Sequence, residues 1–271
     1  MAVPTTDIFE EVLEESLGQR NGKINSIELT KPTGSELSKF IGHINNINIT
    51  MLPGDVDNMP KYVELVKSYG FNPVPHISVR NMNSISHIED MLNDIKVKDI
   101  LLIGGDRERG IGDVHTVMEV IDSGILEKCG IKKVAVAGFP ESPIIALNLT
   151  LQKVLNIKKH NMIPYIITQM CFKDWTVNEW IKSARAMGIE CDIHSGMSGP
   201  TSITSLIKIA MKCGVGNSID YLKKNNLSID YNYKELINGL IYHNHIVHIY
   251  SFNTNKTLEL LKEYKNEKIW N

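Results

Sequence analysis

Cysteine is scarce in this chain of 271 residues: its four thiols, at Cys129, Cys171, Cys191 and Cys213, lie far apart and form no CxxC pair. That excludes a zinc ribbon and a dense disulfide framework, and it suits a reducing compartment. An excess of either charge is missing too, because 29 Lys and Arg stand against 31 Asp and Glu for a net charge of −2. Such a chain carries no electrostatic footprint for nucleic acid or for an anionic membrane surface. No apolar run reaches the roughly 18 residues of a membrane span, and the acidic opening MAVPTTDIFEEVLEE has no apolar secretory stretch. The glycine-rich GGDRERGIG, residues 104–112, fits neither G-x-G-x-x-G nor the Walker pattern. The expectation is a soluble cytoplasmic protein acting on a small polar molecule, with no nucleic acid or membrane partner.

What the chain does have is alternation. Eight short apolar or β-branched runs read as strands: SIEL (26–29), INIT (47–50), PVPHIS (73–78), DILLIGG (99–105), KVAVAGF (133–139), YIITQM (165–170), ECDIHSG (190–196) and IVHIYSF (246–252). Amphipathic helical stretches separate them, among them MPKYVELVKSYG, VHTVMEVIDSGILEKCG and TVNEWIKSARAMG. Several close on a glycine suited to a left-handed helix cap, at Gly70, Gly130, Gly188 and Gly214. Eight alternations predict a (β/α)8 TIM barrel, since a doubly wound sheet usually has fewer strands. Residues 7–17 predict a leading N-terminal helix. SIDYLKKNN and YNYKELINGLIYHNH, within 216–245, predict extra helices before the last strand. No linker or repeat divides the chain, so 1–271 reads as a single barrel domain.

A barrel of this kind builds its active site at the C-terminal ends of its strands. The polar residues there are Glu28 in strand one, Thr50 ending strand two, His76 and Ser78 ending strand three, Asp106 after strand four, Gln169 ending strand six, and His194 and Ser195 ending strand seven. A carboxylate inside an apolar strand is costly to desolvate unless it is paired or functional, so Glu28 is either an acid/base group or a residue that faces a solvated rim or pairs with Lys31. The glycines before Asp106 let a ligand approach the backbone, and Asp106 is the carboxylate delivered into the pocket. His243, His245 and His248 straddle a helix end and a strand without a carboxylate beside them, so no metal set is expected of them. Trp175 and Trp180 read as packing residues, and Lys158 and Lys159 as cations suited to a helix C-terminus.

With these residues assembled, the chain resembles the methylenetetrahydrofolate reductase family, whose members are flavin-containing (β/α)8 barrels. IEL at 27–29 matches the family's strand-one glutamate, PHIS at 75–78 its P-H-L-T, and IGGD at 103–106 its L-R-G-D. AGFPESP at 137–143, ITQM at 167–170 and HIYSFN at 248–253 follow in the family's order. The resemblance implies that Glu28 is the general acid that opens the five-membered ring of methylenetetrahydrofolate. It implies that Asp106 stabilises the resulting cation, and that Thr50, Gln169 and Asp106 bind the folate. FAD is implied as cofactor, touched by His76, Gly105, Phe139 and Lys158, with NADH or NADPH as reductant and methyltetrahydrofolate, the precursor for methionine biosynthesis, as product. A homo-oligomer is expected by the same analogy.

The chain also departs from the pattern: Cys171, Phe172 and Lys173 follow ITQM where the family has Phe and Asp, and SGMSG at 195–199 stands for its P-G-I-L-P. The arginine of L-R-G-D is Gly104, the histidine of the P-E-x-H-P segment is absent, and Leu151, Val154 and Ile157 occupy positions that are polar or basic in the family. Thr254 replaces the arginine that follows the last strand. The folate-facing and proton-transfer residues are thus kept while the FAD phosphate anchors are eroded. Three functions follow: an FAD-dependent reductase, a flavin-free tetrahydrofolate-dependent one-carbon enzyme, or a non-catalytic folate-binding partner subunit.

Overall fold

The structure is a computed structural model and describes residues 23–213, 233–243 and 245–266. Its strands are β1 (Lys23–Leu29), β2 (Asn46–Ile49), β3 (Asn72–Ser78), β4 (Asp99–Ile103), β5 (Lys133–Gly138), β6 (Ile163–Thr168), β7 (Asp192–Ser198) and β8 (Ile246–Tyr250). They form a closed parallel barrel in chain order, with β8 pairing back onto β1. The helices are α1 (Gly34–Phe40), α2 (Met59–Ser68), α3 (Ile85–Ile95), α4 (Val117–Asp122), α5 (Ile125–Lys128), α6 (Ile144–Lys159), α7 (Asp174–Ala186), α8 (Ile203–Cys213), α9 (Tyr233–Tyr242) and α10 (Thr254–Asn266). The chain is therefore a (β/α)8 TIM barrel. No helix among the described residues is long and apolar enough to cross a membrane.

Strand parity sorts the side chains. Ile27, Leu29, Ile47, Ile49 and Ile77 point outward and share the main core with Leu37, Phe40, Val63 and Val66 of the helices. Val74, Leu101, Ala135, Tyr165 and Ile167 form a separate inner cluster. Capping boxes start α1, where Thr33 and Glu36 satisfy each other's backbone N–H, and α4, where Thr116 and Glu119 do the same. Glu36 also accepts the Thr254 hydroxyl at 2.9 Å, which ties α10 to α1.

Several boundaries differ from the sequence reading. The helix expected over VHTVMEVIDSGILEKCG is broken into α4 and α5, because Gly124 between them adopts φ 71°. β4 stops at Ile103 and frees Gly104, Gly105 and Asp106 as a loop. β7 runs on to Ser198, which moves His194 and Ser195 away from the rim, the first to the inner face near the N-terminal end and the second to the outer face beside His245. Gly70, Gly130 and Gly188 do take the positive φ expected of them. The leading helix, SIDYLKKNN and Gly214 lie outside the described residues, while the second extra helix is α9.

Gly196 of β7 lies against the end of β6. Its N–H donates to the Thr168 hydroxyl at 2.8 Å, and a Cβ there would strike the Thr168 carbonyl and lie 2.8 Å from the Tyr250 ring. Gly196→Ala is expected to destabilise the fold by about 1–3 kcal/mol through this overpacking, read as a lower urea midpoint at unchanged slope.

Candidate active site

Glu28 faces into the barrel near the C-terminal end of β1, with its side chain 15% exposed. Its Oε1 accepts a hydrogen bond from the Thr50 hydroxyl at 3.0 Å, and Thr50 in turn accepts from Thr30 at 3.3 Å. Its Oε2 lies 3.4 Å from Nε2 of His76 on β3 and 3.5 Å from Nε2 of His248 on β8. Both ring nitrogens are buried and make no other hydrogen bond. On its far side His248 meets the buried Ser26 hydroxyl, with Nδ1 to Oγ at 2.7 Å, and its ring abuts Tyr250 edge-on at 4.8 Å. Tyr250 is itself held by donating its hydroxyl to the Thr168 carbonyl at 2.9 Å.

Burial opposes ionisation of Glu28, but the two histidines and the Thr50 hydroxyl outweigh it and hold the carboxyl below its usual value. Burial likewise depresses His76, only partly offset by the Glu28 charge. The pairing of Glu28 with Lys31 does not occur: Lys31 reaches Asp55 at 2.9 Å instead. His248 and Ser26 were missed as site residues in the sequence reading. The signal that could have found them was alternation, since Ser26 lies two residues before Glu28 and His248 two before Tyr250 on strands that pair with each other.

The remaining site residues surround this centre unevenly. Asp106 is exposed in the loop after β4, following Gly105, whose φ is 88° and whose Cβ would lie 3.3 Å from that of Ser78. Gln169 follows β6 half-buried, its N–H on the Gly138 carbonyl at 2.7 Å and its Oε1 accepting from Met170 N–H at 3.0 Å. Phe139 follows β5 partly exposed. Lys158 does not join them. It is exposed in the last turn of α6, and its charge acts on Cys191 ahead of β7, at the opposite end of the barrel. Helices of this fold run back antiparallel to the strands, so a cation in a helix's last turn is carried away from the rim.

The resemblance would lay a flavin diphosphate along α6. There the structure presents Ile144, Ile145 and Leu149, each more than half exposed, with Phe139 at the end of β5 that leads into it. Apolar side chains cannot replace the hydrogen bonds that phosphate oxygens make in water, so this face does not fit FAD.

Other sequence readings resolve plainly. The three late histidines do not share one site: His248 sits beside Glu28, while His245 shares a 2.8 Å hydrogen bond with Ser195 and lies 6.2 Å, ring to ring, from the exposed His243. Trp180 packs in the core, whereas Trp175 is 59% exposed and lies under the Lys173 ammonium, 5.4 Å from its ring centre. That corrects the packing role expected for Trp175, whose place early in α7 faces solvent.

At the N-terminal end of the barrel lies a cavity of about 270 Å³, lined by the first residue of every strand, from Lys23 of β1 to Ile246 of β8. The Tyr165 hydroxyl donates to Asp99 there at 2.8 Å, and the Tyr165 and His194 rings lie 4.9 Å apart. Burial pushes the Asp99 carboxyl up to about 6, against the opposing effects of Tyr165 and Lys133, and takes His194 down to about 3.

Fold and site together define a (β/α)8 barrel with a desolvated carboxylate held between two histidines at the C-terminal ends of its strands. No protein-family model matches the sequence. Among solved structures, the chain is similar to an uncharacterized protein from Clostridium thermocellum that binds two copies of 5-methyl-5,6,7,8-tetrahydrofolic acid. The TM-score is 0.59 at 12% identity, over 94% of this chain and 99% of that one. It is also similar to dihydropteroate synthase from Thermus thermophilus, with a TM-score of 0.50 at 10% identity, over 92% of this chain and 94% of that one. At such identities the shared property is the fold.

The buried Asp99 gives the cavity a pH signature. A carboxyl whose folded pKa is raised favours the fold below its unfolded value, near 3.8, and loses that contribution as pH rises through about 6. Asp99→Asn lacks this loss. The Tm of the variant minus that of the wild type is expected to grow from pH 4 to pH 7 and then level off; a constant difference would contradict the raised pKa.

Proposed function

We propose that the chain is a tetrahydrofolate-dependent one-carbon enzyme of the methylenetetrahydrofolate reductase type, which reduces 5,10-methylenetetrahydrofolate to 5-methyltetrahydrofolate with NAD(P)H. The observation that carries this reading is the placement of Glu28, desolvated and oriented by Thr50, His76 and His248 at the mouth where a barrel enzyme works on its substrate. The folate bound by the similar Clostridium thermocellum protein supports the substrate class. A purely folate-binding subunit has no need of a buried carboxylate flanked by two buried histidines.

In this reading Glu28 gives its proton to N10 as the bond between N10 and the methylene carbon breaks, and the N5 lone pair closes the N5–CH2 iminium. Reduced nicotinamide would then supply a hydride to that carbon, so that the substrate gains one proton and one hydride, two electrons in all. Covering Glu28 with the pterin removes its remaining exposure and favours the protonated carboxyl. Thr50 orients the carboxyl by donating to Oε1, and Ser26 fixes the His248 ring. Asp106 supplies negative charge to the cation, and the Gln169 side-chain amide has N–H groups to offer the pterin edge. Direct hydride transfer is preferred over the FAD-dependent route because the α6 face does not fit the flavin diphosphate.

Glu28→Gln is expected to lower turnover by roughly 10²- to 10⁴-fold while leaving the affinity for methyltetrahydrofolate within a few-fold. Unchanged turnover would remove the acid role. A visible spectrum after incubation with FAD and removal of the unbound part tests the hydride source. A colourless protein agrees with direct transfer, and a stoichiometric flavin band would return the reaction to FAD.

A further inference from the structure

Two guanidinium groups stand at the same rim without a carboxylate partner among the described residues. Arg80, just after β3, is half-buried, and its Nη1 donates to the carbonyls of Arg107 at 2.8 Å and Gly105 at 3.5 Å. Its backbone N–H donates to the Gly104 carbonyl at 3.0 Å, and its guanidinium lies 3.7 Å from where a Gly104 Cβ would stand. The arginine thus lies against the backbone of the loop that carries Asp106. Arg107 is held differently, by donating Nε–H to Oδ1 of Asn81, a residue only 3% exposed, at 2.9 Å.

These contacts fix both planes yet use only a minority of their N–H groups, since an arginine carries five donors and no acceptor. Asp106 and Glu108 belong to the same loop, but among the described residues no ion pair joins either arginine to a carboxylate. Arginine pairs of this kind, braced through carbonyls and a buried amide with their forks free, suit the bidentate binding of a carboxylate or phosphate.

We infer that Arg80 and Arg107 form an anion subsite beside the Glu28 centre, which takes the charged tail of a bound reactant. The site's own chemistry leaves two sources of that anion. One is a carboxylate of the glutamate tail of the folate, and the other is a phosphate of the pyridine dinucleotide. The first rests on the folate reading above, and the second only on the use of a nicotinamide reductant. Asn81 is the positioning residue that aims Arg107.

Calorimetric titration separates these. The ligands are methyltetrahydrofolate as monoglutamate and as triglutamate, NADH and NADPH, each added to the wild-type chain, Arg107→Gln, Arg107→Lys and Asn81→Ala, with Arg109→Gln as a control at an exposed neighbour. Arg107→Gln is expected to weaken one class of ligand by roughly tenfold or more, Arg107→Lys and Asn81→Ala by less, and Arg109→Gln not at all. A loss on the folates alone, whether on both or on the triglutamate only, assigns the subsite to the folate tail, and a loss on the dinucleotides alone assigns it to phosphate. Equal affinities for every ligand in wild type and Arg107→Gln would overturn the subsite. Should the wild-type chain bind no folate at all, the folate reading itself falls, and the dinucleotide titrations alone decide whether the arginines hold an anion.

Discussion

The candidate site depends on keeping one carboxylate ionisable inside a closed barrel. Moving Glu28 out of water is unfavourable, and the opposing contributions come from three separate strand ends: Thr50 after β2, His76 on β3 and His248 on β8. None of these groups lies near another in the chain, and only closure of β8 onto β1 brings His248 to Glu28. Ser26 then occupies the inner position two residues before Glu28 and holds the other side of the His248 ring. Strand parity and barrel closure therefore do the positioning, and the local sequence needs only to put a polar residue on the inner face.

The same antiparallel return of the helices separates the two ends of the molecule chemically. The C-terminal end carries the carboxylate, the two histidines, the free arginine forks and the loop of Asp106. The N-terminal end carries the cavity ringed by the first residues of the strands, with Asp99, Tyr165 and His194 inside it. Lys158 belongs to this second end, while the start of α6, nearer the first, exposes isoleucine and leucine. Of the flavin contacts implied by resemblance, the diphosphate part is thus the one that the surface chemistry opposes.

Much of the fold was legible because its signals are local. Short apolar or β-branched runs for the eight strands, 3.6-residue periodicity for the helices and glycine at helix ends are all written within ten or so residues, and each reflects a short-range rule. Boundaries were less legible where one residue interrupts a pattern, as Gly124 does between α4 and α5, or where burial carries a strand further, as in β7. Glu28 was found because a carboxylate in an apolar strand is conspicuous. His248 was passed over because, beside His243 and His245, it read as part of a helix-end cluster rather than as an inward residue of the last strand.

By itself the sequence determined the barrel, the order of its elements and the polar residues offered at each strand end, since these follow from hydrophobic period and turn chemistry. Only the tertiary structure decided which of them meet. It joined Glu28 to His76 and His248, sent Lys31 to Asp55 and carried Lys158 to the opposite face. It also laid Arg80 over Gly104. The reason is that contact between residues far apart in the chain is set by barrel closure and strand register, which no short stretch of sequence contains.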